Sequence, residues 1–169
     1  MLKLIGAIMM IGATTAIGIS KMESMALRVR TLEAFVAAFD RINAEISFSL
    51  TPLPEVFYGL ARTIPNPVGE FFSRCVALGG DLTEASLYPV WNRALREVKN
   101  LLPEDRRIIA QAGNVLGKFD PENQQQSMAA VTEGVRNCLA AAEEKRKNES
   151  RTCAALAVAS GFALVIIFI

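Results

Sequence analysis

Two stretches without a single charge, one near each end, constrain this chain more than anything between them. Residues 4–20 (LIGAIMMIGATTAIGIS) and 152–169 (TCAALAVASGFALVIIFI) carry no charged side chain, and every Asp and Glu lies between them. As helices these runs of 17 and 18 residues reach roughly 25–27 Å, close to the ~30 Å hydrocarbon layer of a bilayer. The expectation is a transmembrane helix over residues 1–20, a domain over 21–151 and a second transmembrane helix over 152–169. The averages, 51% hydrophobic and 21% charged, hide this because they mix two kinds of segment.

A secretory signal is the alternative for the first run, since Lys3 supplies a short positive start and Ala16 and Gly18 are small residues near its end. Against it stand the minimal basic region, Lys21 directly after the run, and a helical pattern that continues outward. Basic residues near the membrane set orientation. Lys21, Arg28, Arg30, Lys145, Arg146, Lys147 and Arg151 flank the domain side, against Lys3 alone on the other. The domain is therefore expected in the cytoplasm with both termini outside.

The middle reads as all-α. No run alternates apolar and polar residues at period two, whereas helical spacing is frequent. Val29, Leu32, Phe35, Val36, Phe39, Ile42 and Ile46 line one side of a helix over 21–50. Thr51-Pro52-Leu53-Pro54-Glu55 then starts a short helix, with Thr51 as cap, Pro52 at the first position and Glu55 in the first turn. Asn66 caps a third helix that Gly79-Gly80 stops. A fourth covers about 86–98 with Pro89 near its start, and Pro103-Glu104-Asp105 opens a fifth that closes at Leu116 and Gly117. The sixth begins at Pro121, shows Met128, Val131, Val135, Cys138, Leu139 and Ala142 at helical spacing, and runs on into the second uncharged stretch, with Glu143 and Lys147 as a favourable i,i+4 pair. Six helices joined by short turns predict an antiparallel bundle flanked by transmembrane helices. An even number of helices returns the chain to the side where it began.

Catalysis lacks its usual tools, because the chain contains no histidine. Residues 113–119 (GNVLGKF) superficially match a phosphate-binding loop, but one residue is missing between the glycines and Phe119 stands where Ser or Thr is required. Asp120 and Glu122 are explained by the dipole of the helix they precede or begin. No catalytic, cofactor-binding or metal-binding residue is therefore assigned and no cofactor is expected. Cys75 and Cys138 sit among apolar helix positions and read as small core residues of a reducing compartment. The basic residues before the second run suit membrane lipids at ~1 kcal/mol each near the headgroups. Nucleic acid is not expected, since no stacking aromatics accompany them. Ala155, Ala159 and Ala163, and Gly12 and Ala16, repeat at four-residue spacing, which lets membrane helices approach closely.

The start MLKLIGAIMMIG, the segments AEISFSLTPLPEVF (44–57) and NVLGKFDPENQ (114–124), and RKNES before a closing apolar run, in this order and at this length, resemble the stage III sporulation protein AB family of endospore-forming bacteria. Phe119, where a small polar residue is more typical, and Pro89 before Trp91 depart from that pattern. The resemblance extends to the cytoplasmic domains of inner-membrane platform proteins of type II secretion and type IV pilus systems, which are six-helix bundles. It implies a non-enzymatic platform in the channel complex between mother cell and forespore during engulfment. It also implies a stage III sporulation protein AA-type ATPase and other channel subunits as partners, and placement in the mother-cell membrane around the forespore. A second copy of the chain, making a homo-oligomer, is a further candidate partner. A lipid-binding or membrane-shaping helical protein is the alternative function. Thr51, Pro52, Pro54, Glu55, Leu116, Gly117 and Asp120 are the candidate constrained positions, as structural turns.

Overall fold

A computed structural model of the chain describes the backbone of residues 2–48, 52–79, 84–116 and 121–168, with side chains over 18–46, 52–79, 87–116 and 124–152. Six helices follow one another: α1 (Leu2–Phe48), α2 (Leu53–Thr63), α3 (Val68–Gly79), α4 (Glu84–Glu97), α5 (Pro103–Val115) and α6 (Pro121–Phe168), with no strand among the described residues. The all-α expectation and the count of six hold. Among the described residues no helix is long and apolar enough to cross a membrane. Nearly all side chains of the two uncharged runs lie outside the described ones.

The first and last helices are 47 and 48 residues long and pack against each other in opposite directions. Their order of contact shows this: Lys21 meets Glu149, Asp40 meets Arg136, and Asn43 meets Thr132. The positions expected to face inward do so. Val29, Leu32, Phe35, Phe39 and Ile42 are buried, and Val36 and Ile46 pack against them. From α6, Met128, Val131, Val135, Cys138 and Ala142 complete the seam. Cys75 and Cys138 are both free and buried. Burial pushes their thiols up, to about 12 for Cys75 and, with help from the nearby Asp105 charge, to about 11 for Cys138.

Trp91 of α4 is the hub of the core. Its ring lies 4.8 Å from Phe71, 5.9 Å from Phe57, 6.0 Å from Phe72 and 6.2 Å from Phe39. Its indole N–H donates to the Ile109 carbonyl at 3.0 Å, so a large amphipathic ring is buried with its polar atom satisfied. Helix α5 can approach this closely because residue 113 is glycine. A Cβ there would stand 2.7 Å from Trp91 Cγ and 2.8 Å from Cδ1. At the α2–α3 corner Gly69 plays the same part, since a Cβ there would collide with the Ile64 carbonyl oxygen.

Pro89 departs from expectation. Helix α4 begins at Glu84, which puts Pro89 inside the helix, not near its start. The proline supplies no N–H to the carbonyl four residues earlier, but Leu87, Trp91, Ala94 and Leu95 are all buried, and packing overrides the local cost. Asn66 caps as expected: its Oδ1 accepts from the Glu70 amide at 3.1 Å. Where α4 hands over to α5, the Arg106 guanidinium donates to the Leu95 and Val98 carbonyls, satisfying acceptors that a helix end leaves open.

Asp105 does more than acidify a first turn. Its carboxylate accepts from Arg28 Nε and Nη2, each at 2.8 Å, and from the Leu102 amide at 2.8 Å. This forked pair ties the start of α5 to α1, with side-chain exposures of 15% for Arg28 and 0% for Asp105. Burial pushes the Asp105 carboxyl up, but the Arg28 hydrogen bonds, the Leu102 amide and the Arg28 charge outweigh it and hold the group below its ordinary value. The Arg28 guanidinium is raised, first by its hydrogen bond to Asp105.

Two stability outcomes follow for the whole chain. Gly113→Ala should destabilise it by about 1–2 kcal/mol, an overpacking cost of about 1–3 kcal/mol partly offset by the better helix propensity of alanine. Thermal unfolding followed by circular dichroism checks this, and an unchanged midpoint would refute the close Trp91 contact. Asp105→Asn leaves the Arg28 charge poorly matched and should cost about 3 kcal/mol at neutral pH. Because the folded carboxyl lies below its unfolded value of ~3.9, the pair contributes fully above that value and is lost as pH falls through the folded one. The acid-induced loss of stability should thus be smaller in Asp105→Asn, as read from urea midpoints across the acid range.

Candidate functional site at the neck of the bundle

Of the turn positions singled out from sequence, Pro52, Pro54, Glu55 and Leu116 lie at the end of the bundle where α1 finishes and α6 starts. Pro52, with an extended ψ of 138°, is the residue flanking α2, one place earlier than the first helical position expected for it. Its carbonyl accepts from the amides of Glu55 at 2.9 Å and Val56 at 3.3 Å. Pro54 falls within the first two positions of the helix, where a missing N–H costs nothing, and Glu55 stands in the first turn. Leu116 is the C-terminal flank of α5; its amide donates to the Ala112 carbonyl at 2.9 Å and its side chain is buried. Thr51, expected as the α2 cap, and Gly117 and Asp120 lie outside the described residues, as does Phe119.

At the opposite end, beyond Ala142 on α6 and Arg28 on α1, the two long helices leave the bundle as an exposed neck. Lys21 Nζ and Glu149 Oε2 are 2.7 Å apart, so the uncharged runs depart from the same end of the bundle. The Ser24 hydroxyl donates to the Lys21 carbonyl at 2.8 Å, and the Thr152 hydroxyl donates to the Asn148 carbonyl at 3.0 Å. On α1, Ile19, Met22 and Leu27 are exposed.

On α6 the composition of the inward line changes at the neck. Val135, Leu139 and Ala142 belong to the core or pack on it, and the same helical line continues through Arg146 and Ser150. An open groove of 430 Å³ along this part of α6 is lined by Glu143, Arg146, Lys147, Ser150 and Arg151. The expected Glu143–Lys147 ion pair is not formed among the described residues. Both side chains are exposed, where such a pair is worth only a few tenths of a kcal/mol, too little to hold two long side chains together. The ion pairs present use other cations: Lys21, Arg28, Arg74 and Arg136.

Sequence reasoning missed the Arg28–Asp105 pair at the base of the neck. Arg28 had counted only toward orientation and Asp105 only toward a helix start. Their separation of 77 residues leaves no local spacing to read. Among the described residues no cluster of Cys, Asp or Glu side chains could hold a metal ion.

Comparison with known proteins bears on the whole chain. The model of the family described as stage III sporulation protein AB matches residues 3–169. Stage III sporulation protein AB of Bacillus subtilis (strain 168) is 26% identical over 172 residues, covering 99% of this chain and 99% of the relative. A solved structure of stage III sporulation protein AB superposes with a TM-score of 0.64 at 25% identity, covering 72% of this chain and 98% of the other. A six-helix bundle with two long outer helices, matched over its length by one family, therefore belongs to the stage III sporulation protein AB family and serves sporulation.

Proposed function

We propose that the chain is a non-enzymatic membrane platform of the sporulation channel complex between mother cell and forespore. In this reading the uncharged runs are two transmembrane helices and the bundle faces the mother-cell cytoplasm at the membrane around the forespore. A stage III sporulation protein AA-type ATPase and neighbouring channel subunits dock on the bundle's exposed surfaces. The observation that carries the reading is the continuity of α1 and α6. Each is a single helix from an uncharged run, through the neck, to the far end of the bundle. A load applied to the bundle would then pass to the membrane through two unbroken backbones. The absence of histidine supports a structural role over a catalytic one.

Topology is tested with single cysteine reporters in a background carrying Cys75→Ala, Cys138→Ala and Cys153→Ala. Reporters are Leu2→Cys, Gly80→Cys and a cysteine appended after Ile169. In intact cells the two end reporters should react with an impermeant thiol reagent and Gly80→Cys should not. Labelling of Gly80→Cys from outside would put the bundle beyond the reach of a cytoplasmic ATPase and end the platform reading. The mechanical part has its own check. Ser24→Pro or Asn148→Pro, each breaking an exposed helix at ~3 kcal/mol or more, should depress sporulation while the bundle remains folded. Normal spore yield from both variants would show that helix continuity is not needed.

A further inference from the structure

We propose that the α6 groove lined by Glu143, Arg146, Lys147, Ser150 and Arg151 is a binding site for the phosphate of an anionic phospholipid headgroup. The inference rests on the two-span membrane reading, which places the groove at the headgroup layer: Arg151 is the last charged residue before the second uncharged run.

Three observations carry it. The first is the composition of the groove, where three cations and one hydroxyl stand with a single carboxylate along one open face of α6. The second is that Arg146, Lys147 and Arg151 enter no ion pair among the described residues, a property shared with single exposed cations such as Arg93, but here three such cations line one groove. The third is placement. Arg146 and Ser150 stand on the helical line that Ala142 closes as core, so the chain puts a cation where the seam below puts an apolar residue.

The order of charge along the groove fixes how a headgroup would lie. Lys147 and Arg151 are nearest the uncharged run and meet the phosphodiester, to which arginine presents paired donors. Glu143 lies two helical turns farther from the run than Arg151, roughly 12 Å. It faces the polar end of the headgroup and accepts from hydroxyls, as in phosphatidylglycerol. Ser150 donates to a phosphate oxygen between the two cations. A zwitterionic headgroup brings its own ammonium group beside these cations and binds less well.

The test uses the full chain. Reconstituted into nanodiscs of phosphatidylcholine alone, or with phosphatidylglycerol added, the protein is released into detergent and its retained lipids are counted by native mass spectrometry. Wild type should retain phosphatidylglycerol over phosphatidylcholine. At about 1 kcal/mol per cation, the double variant Lys147→Gln/Arg151→Gln should weaken retention roughly 25-fold. Arg93→Gln, which removes an exposed cation on α4, should leave it unchanged. These positions are exposed, so the variants should keep the wild-type circular dichroism. Retention unaffected by the double variant, or lowered equally by Arg93→Gln, overturns the site. Displacement of the lipid by millimolar inorganic phosphate would show a free-phosphate site and overturn the headgroup as occupant. A chain that fails to enter nanodiscs at all would overturn the two-span reading itself, a result distinguishable from insertion without lipid preference.

Discussion

The antiparallel packing of α1 against α6 is the constraint on which the rest of the molecule depends. It closes the chain on itself, so that the shorter helices α2 to α5 need only cover one side of an existing pair. Apolar burial drives the contact, but it does not by itself choose a register, since any shift by one turn would again oppose apolar side chains. Polar contacts make that choice. Asn43 Nδ2 donates to Thr132 Oγ1 at 3.0 Å, and the Thr132 hydroxyl donates to the Met128 carbonyl at 2.8 Å. Thr132 is buried and keeps its bond to Met128 within α6 in any register, so a slip would lose the Asn43 hydrogen bond, at a cost of about 0.5–1.5 kcal/mol. Arg136 and Asp40 on the exposed flank mark the same register and contribute less, as exposed pairs do.

The shorter helices are fixed to this pair by two different devices. Aromatic packing around Trp91 is non-directional in part and tolerates small displacements of each ring. Gly113 removes that tolerance on one side by letting the α5 backbone come within contact distance of the indole. The Arg28–Asp105 pair then sets the position of the α5 start along α1. Burying two charges costs several kcal/mol in desolvation, which a forked geometry and the Leu102 amide offset. A net gain in stability is not what distinguishes such a pair from two packed leucines. Its distinguishing property is that only one arrangement satisfies both partners.

How much of this was legible in the sequence depends on the range of the signal. The helices were legible because apolar spacing is local: the inward positions from Val29 to Ile46 and from Met128 to Ala142 can be listed without knowing what they touch. The cap at Asn66 was legible for the same reason. Pro89 misled because local propensity was read as a boundary, whereas Leu87 and Trp91 on either side are buried and hold the helix together across it. Pro52 was displaced by one position because two prolines in three residues offer two acceptable starts. Asp105 had a sufficient local explanation, which concealed a nonlocal one. The need for glycine at 113 could not be read at all, since it arises from a ring 22 residues earlier in the chain. Glu143 and Lys147 satisfied a spacing rule whose energy is too small to determine a conformation.

The neck shows why the two ends of the long helices obey different physics. Within the bundle, α1 and α6 are held by an apolar seam that ends near Ala142. Beyond it the line continues as Arg146 and Ser150, and the described contact across the neck is the pair Lys21–Glu149, with exposures of 62% and 28%. An exposed pair of this kind contributes on the order of 0.2–1 kcal/mol and weakens with salt. The helices are therefore weakly coupled to each other at the neck, while each remains strongly coupled to itself through its own backbone hydrogen bonds. Bending a helix breaks those bonds, whereas separating the two helices by a small angle breaks almost nothing. Among the described residues the neck is thus stiff along each helix and less tightly held between them, so bending and separation there are governed by separate sets of residues.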